Sequence, residues 1–237
     1  MTKEKFIVLD TEGMSGLASY NIGFIIADRY GKIYKEFSYA LPENFYTNLI
    51  KAIQINQAVE MTDSNIKEIL EDSSRPKRKR KYKFISSTEF SNQFLKLISK
   101  YKIRKLYAYN VAFDKACLKN VFKDKFEELE KSVEFVDIIP IILRTRLLTK
   151  KYVNWALTNG FTTDKGYIQT KAETVYRYLF DCMDFIEEHT ALADVKIEYQ
   201  ILLSALKTHK KIDSTNCQAW RELDKFCKSK GIAYRGE

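Results

Sequence analysis

Apolar and polar positions alternate along this chain in blocks that read as strands first and helices later. Phe6-Ile7-Val8-Leu9 is uninterrupted by polar residues, as in a strand buried on both faces. Asn21-Ile22-Gly23-Phe24-Ile25-Ile26 opens a second strand over 21–27, and 32–39 a third, with Arg29-Tyr30-Gly31 as the intervening turn. Residues 105–109 and 135–137 predict further strands separated by helical periods. Ser86 and Glu89 form a capping box ahead of Phe90, Phe94, Leu97 and Ile98, and Thr170 with Glu173 repeats that signature before Val175, Tyr176 and Leu179. A last long helix is expected over about 190–205. The pattern predicts an α/β protein with a mixed central sheet, its first three strands antiparallel and the later ones parallel, flanked by helices. A single domain over 1–237 is expected, without internal repeats.

Two stretches stand outside this plan. Residues 71–85 carry Arg75-Pro76-Lys77-Arg78-Lys79-Arg80-Lys81-Tyr82-Lys83, proline-interrupted and almost wholly cationic, which predicts a mobile loop or insertion. Lys77, Arg78, Lys79 and Arg80 would hold phosphates there, with Tyr82 and Phe84 offered for stacking. A solvated connector and a nuclear localisation signal are the other readings of such a run. From about 214 a helical extension is expected, where Trp220, Leu223 and Phe226 share helical spacing. It would cover the sheet or dock on a polymerase or other replication partner.

Composition narrows the setting. With 40 Lys and Arg against 31 Asp and Glu the net charge is +9, which suits a polyanionic partner such as nucleic acid, although a solvated basic surface produces the same sum. Cys117, Cys182, Cys217 and Cys227 have no C-x-x-C spacing and only two histidines to join them, which argues against a zinc site and for reduced thiols. The charged start Thr2-Lys3-Glu4-Lys5 precedes an apolar run of only strand length, so neither a signal peptide nor a membrane span is expected, and the cytoplasm is the expected location.

The chemistry lies in three short stations: Asp10-Thr11-Glu12, Asn110-Val111-Ala112-Phe113-Asp114 and His189-Thr190-Ala191-Leu192-Ala193-Asp194. Each falls at a strand end or a helix entrance. Acids buried in such places need a positive partner, and hard divalent ions take carboxylate oxygens while keeping positions open for water and phosphate. Two such ions clamp the attacking and leaving oxygens of a phosphoryl transfer. On a helix advancing ~100° per residue, His189 and Asp194 would stand roughly 140° apart. His189 therefore belongs just before the helix and Asp194 in its first turns.

The order and spacing of these stations resemble the DEDDh family of 3′-5′ exonucleases, in particular stand-alone members from phages and low-GC bacteria. The resemblance covers most of the chain and implies the ribonuclease H-like fold. It implies two divalent ions, Mg²⁺ or Mn²⁺: Asp10, Glu12 and Asp194 hold the first, Asp10 also reaches the second, and Asp114 supports that one directly or through water. It implies His189 as the general base, a role suited to histidine's ordinary pKa near ~6.5. Met14 and Leu17 would meet the terminal base, and Asn110 and Phe113 complete the second motif. The chain departs from the pattern in carrying Asn21 where many relatives place Glu, Tyr109 before the second motif, and Gly13-Met14-Ser15-Gly16 after the first.

The implied activity is removal of nucleotides from the 3′ ends of nucleic acid as nucleoside 5′-monophosphates, with DNA, single-stranded or at the 3′ ends of longer DNA, as the expected substrate. An exoribonuclease of the ribonuclease T or oligoribonuclease kind is the near alternative, and a non-catalytic module binding nucleic acid or a polymerase the distant one. His209 reads as a surface residue, Asp137 as a helix N-cap, and Trp155 and Trp220 as packed aromatics.

Overall fold

In the computed structural model, residues 4–13, 17–54, 65–208 and 212–232 are described. The first apolar run extends beyond its apolar residues: strand β1 is Lys5–Glu12, so Asp10 and Glu12 are strand residues at its C-terminal end. Strand β2 (Asn21–Asp28) is buried along its whole length, and β3 (Ile33–Ala40) only toward its end. The three pair antiparallel, with a register irregularity at Ile26/Ala27. β1 also pairs with β5 (Lys105–Ala108) in parallel, and β6 (Glu134–Asp137) follows at the edge. A two-residue strand, β4 (Lys83–Phe84), adds parallel to β3 and makes the order β4-β3-β2-β1-β5-β6. With helices along it, this is the expected mixed α/β sheet, antiparallel across β3-β2-β1 and parallel from β1 to β5.

The chain divides into two compact units, Met1–Val136 with Glu188–Lys196, and Asp137–Glu187 with Ile197–Glu237. The core of the first is aromatic. Phe24 on β2 meets Phe94 edge-on at 4.9 Å, and Phe90 stacks on Phe94 at 5.4 Å. Both partners come from the helix Ser87–Tyr101, whose expected start is present: Ser86 Oγ accepts from the Glu89 N–H at 3.2 Å. Each such ring, fully buried, contributes about 1.5–3 kcal/mol.

The basic stretch is ordered, contrary to the loop expected of it. The helix Asn65–Ser74 runs into it, a 3-10 turn covers Lys77–Lys79, and β4 ends it. The reason is Asp72, fully buried, whose carboxylate accepts from the N–H groups of Lys81 (3.0 Å) and Tyr82 (3.0 Å) and pairs with Arg75 at 3.4 Å. Arg80 donates to the carbonyls of Ser73 (2.7 Å) and Arg75 (2.8 Å). One buried acid thus gathers the groups that charge repulsion would spread.

In the second unit, Asp137 caps the helix Ile138–Ile142 by accepting from the Ile139 N–H at 2.9 Å, as its sequence position predicts. Trp155 stacks on Phe161 at 4.9 Å and is packed rather than displayed. The second expected helix is present, with Lys171 rather than Thr170 at its N-cap. The helix Ala172–Phe180 starts after Lys171, which makes no side-chain cap, and Glu173 pairs with Arg177 at 2.8 Å, one turn on. The helix Ala219–Ser229 buries Leu223 and Cys227 and leaves Trp220 partly exposed against Tyr167. His209 lies outside the described residues.

Candidate metal centre

Asp10 and Glu12 lie two apart on β1 and so point to one face of the sheet at its C-terminal end. Their register partners on β2 are Gly23 and Asn21, and these two residues bring the third acid in. A Cβ on Gly23 would stand 2.3 Å from the Ala191 carbonyl carbon and the Leu192 nitrogen, so glycine is what lets the helix Ala191–Leu206 begin directly on the strand. Asn21 fastens that start. Its Oδ1 accepts from the Ala191 N–H at 3.1 Å, and its Nδ2 donates to the Tyr39 carbonyl at 2.8 Å. Asp194 falls in the first helical turn, where its N–H reaches the Thr190 carbonyl at 3.0 Å and the helix dipole favours an anion.

The result is a cluster in which carboxylate oxygens of Asp10, Glu12 and Asp194 all lie within 4.8 Å of one another. Asp10 Oδ2 and Asp194 Oδ1 are buried atoms that accept no hydrogen bond, while both residues make other interactions. Three like charges at this range repel, and an all-oxygen donor set of this kind fits a hard divalent cation.

Asp114 approaches from the other side of the chain order. It lies in the first turn of the helix Val111–Phe122, is 1% exposed, and accepts a 2.9 Å hydrogen bond at Oδ1 from Thr11 Oγ1. Burial pushes its carboxyl up to about 8; the Thr11 hydroxyl and the N–H groups of Asp114 and Thr11 act against that, and the charge of Glu12 adds to it. Asn110 caps this helix from the left-handed region (φ 67, ψ 52), which Asn tolerates, and its carbonyl accepts from the Phe113 N–H at 3.0 Å.

The remaining expected residues fall as follows. His189 is exposed, two residues before the helix that carries Asp194, with φ 53. Leu17 and Phe113 are half-buried and Asn110 exposed, while Met14 lies outside the described residues. Lys77, Arg78 and Lys79 are exposed, whereas Arg80 is tied to the backbone and lies over the Phe84 ring at 5.2 Å. Tyr82 is only 5% exposed, so it is a packing residue rather than the stacking platform its sequence position suggested.

Sequence reasoning passed over Thr11, Asn21 as an anchor, and Gly23. Of these only Gly23 left a signal: a glycine inside an apolar strand marks a close backbone approach.

No protein-family model matches the chain, and no curated protein does. Among solved structures, a product-bound structure of exonuclease I is similar, at 15% identity and a TM-score of 0.48 over 86% of this chain and 43% of that one. The chain thus spans less than half the length of that neighbour. Among the described residues, no helix is long and apolar enough to cross a membrane. Fold and site together define an α/β protein with a mixed six-stranded sheet and an acidic centre where β1 meets the start of the helix Ala191–Leu206.

Proposed function

We propose that the protein is a divalent-metal-dependent 3′-5′ exonuclease, acting on DNA and releasing nucleoside 5′-monophosphates. The observation that carries this reading is the convergence of Asp10, Glu12 and Asp194 within 4.8 Å, on residues separated by most of the chain. These three would hold one Mg²⁺ or Mn²⁺, and Asp10 and Asp114 a second. Ions so placed supply positive charge to the attacking and leaving oxygens of an in-line displacement at phosphorus.

The chain's own residues do the rest. Asn21 and Gly23 keep Asp194 in place without a mobile loop, so the site needs little reorganisation before reaction. His189, exposed beside the helix start, takes the proton of the attacking water and passes it to solvent. Leu17 and Phe113 offer apolar surface to the terminal base, and Asn110 a polar edge. Attack forms the new P–O bond, and the 3′ oxygen of the penultimate nucleotide leaves with the electron pair and is protonated by water.

The test is a time course on 5′-labelled single-stranded DNA and RNA of one sequence, with Mg²⁺, with Mn²⁺ and with chelator. A ladder shortening from the 3′ end, faster on DNA and lost in chelator, is expected, with His189→Ala slowed by about 10²–10⁴-fold. Faster loss of the RNA would replace the substrate with RNA. No ladder on either strand overturns the activity.

A further inference from the structure

The ordered basic turn has a feature that the exonuclease chemistry does not use. Its cations divide into two groups. Arg75 pairs with Asp72, Lys81 with Glu68 at 2.6 Å, Arg80 with two carbonyls, and Lys83 with Gln93 at 2.6 Å. Lys77, Arg78 and Lys79, by contrast, are exposed on the 3-10 turn and meet no acid in an ion pair among the described residues. Three adjacent like charges would normally be left on a mobile segment, where they can spread. Here a fully buried aspartate and an arginine hold their backbone still.

We propose that the turn Lys77–Lys79, held by Asp72 and Arg80, is a preformed binding site for the phosphodiester backbone of nucleic acid, separate from the acidic centre and beside it. That the bound strand is also the one cleaved rests on the exonuclease reading; the binding itself does not.

Three observations favour this partner. The turn borders a groove of about 390 Å³ whose lining includes Lys77, Arg80, Lys83 and Phe84, with Glu89 as its acid, so cationic and aromatic surface are combined as single strands require. The segment lies near the acids along one row of the sheet: Phe84 on β4 pairs with Ala40, Ala40 with Asn21, and Asn21 with Glu12. Finally, fixing the cations in advance removes the ordering cost that a flexible basic tail bears on binding.

The role of Asp72 and Arg80 is positioning. Asp72 touches no ligand, and the two together convert a charge run into a fixed array, Arg80 also lining the groove.

The test is fluorescence anisotropy of labelled oligonucleotides in chelator, so that binding is read without cleavage. DNA and RNA single strands and a DNA duplex form separate arms, each over a salt series. The variant Lys77→Gln/Arg78→Gln/Lys79→Gln is expected to bind at least about tenfold more weakly and to lower the salt slope by about 2 on a single strand, near 0.7 per phosphate contact. A charge-matched control, Lys96→Gln/Lys100→Gln/Lys102→Gln, lies on the helix Ser87–Tyr101 and its C-cap. It should change neither quantity by as much as half of this.

Asp72→Ala keeps all three cations and releases the turn. It is expected to weaken binding with the salt slope retained, provided that circular dichroism shows the sheet intact; an unfolded Asp72→Ala leaves the decision to the triple variant. Equal losses in the triple variant and the control would reduce the effect to net charge and overturn the proposal. So would unchanged oligonucleotide affinity in the triple variant, the result expected of a surface for an acidic protein, or no binding by the unaltered protein. Binding lost as expected in a protein that cleaves nothing would overturn the activity and leave this site standing.

Discussion

The acidic centre and the basic turn each bury an aspartate, and they use it in opposite ways. Asp72 is surrounded by donors, two backbone N–H groups and an arginine, so its charge is consumed in holding local structure. Asp10, Glu12 and Asp194 are instead turned toward one another, with oxygens within 4.8 Å, while Asp114, outside that group, is buried against Thr11. A buried acid among donors is an organiser of the chain. Acids gathered against acids form a site that calls for a cation. The same residue type therefore reads as structural or chemical according to its neighbours.

The contrast can be broken by substitution. Asp194→Asn should lower turnover by about a thousandfold or more while leaving the metal-free protein no less stable, because removing one of three crowded charges relieves repulsion. Paired activity and melting measurements in chelator check this; full activity in the variant would sink the metal assignment. The unaltered protein should gain about 2.7 kcal/mol of stability at a Mg²⁺ or Mn²⁺ concentration a hundredfold above its dissociation constant, and Asp194→Asn much less. Asp72→Ala should show the reverse pattern, costing about 2–3 kcal/mol in denaturant unfolding as buried donors lose their acceptor, with no loss of metal-induced stabilisation.

Smaller changes sharpen the picture between these extremes. Gly23→Ala places a methyl group 2.3 Å from the helix backbone and should cost about 1–3 kcal/mol, with weaker metal binding because the start of the helix Ala191–Leu206 moves away from Asp10. Calorimetric titration with Mn²⁺ checks the second part. Asn21→Ala removes the acceptor of the Ala191 N–H and should cost about 1–2 kcal/mol.

Local signals were legible in the chain. The apolar runs gave the strands, Ser86 gave the start of its helix, Asp137 its cap, and the spacing of His189 from Asp194 put one before a helix and the other inside it. The second helix begins one residue later than Thr170 predicts, with Lys171 at its N-cap and Glu173 paired to Arg177 one helical turn away. The basic run was misjudged. Repulsion among its cations is visible in composition, but the buried acceptor that overcomes it becomes visible only once Asp72 is seen turned inward.

By itself the sequence determined the strands other than β4, the helices after Ser86 and around Asp194, the antiparallel start of the sheet and the identity of the acids, because periodicity and capping act over a few neighbouring residues. The tertiary structure decided that Asp194 meets Asp10, through a hydrogen bond between residues 170 apart and a glycine against which a helix can rest. It also decided that Asp114 is held by Thr11, 103 residues away, and that the basic turn is fixed rather than loose. Those outcomes depend on packing between segments remote in the chain, where steric room and donor placement are set by the fold and not by any local pattern.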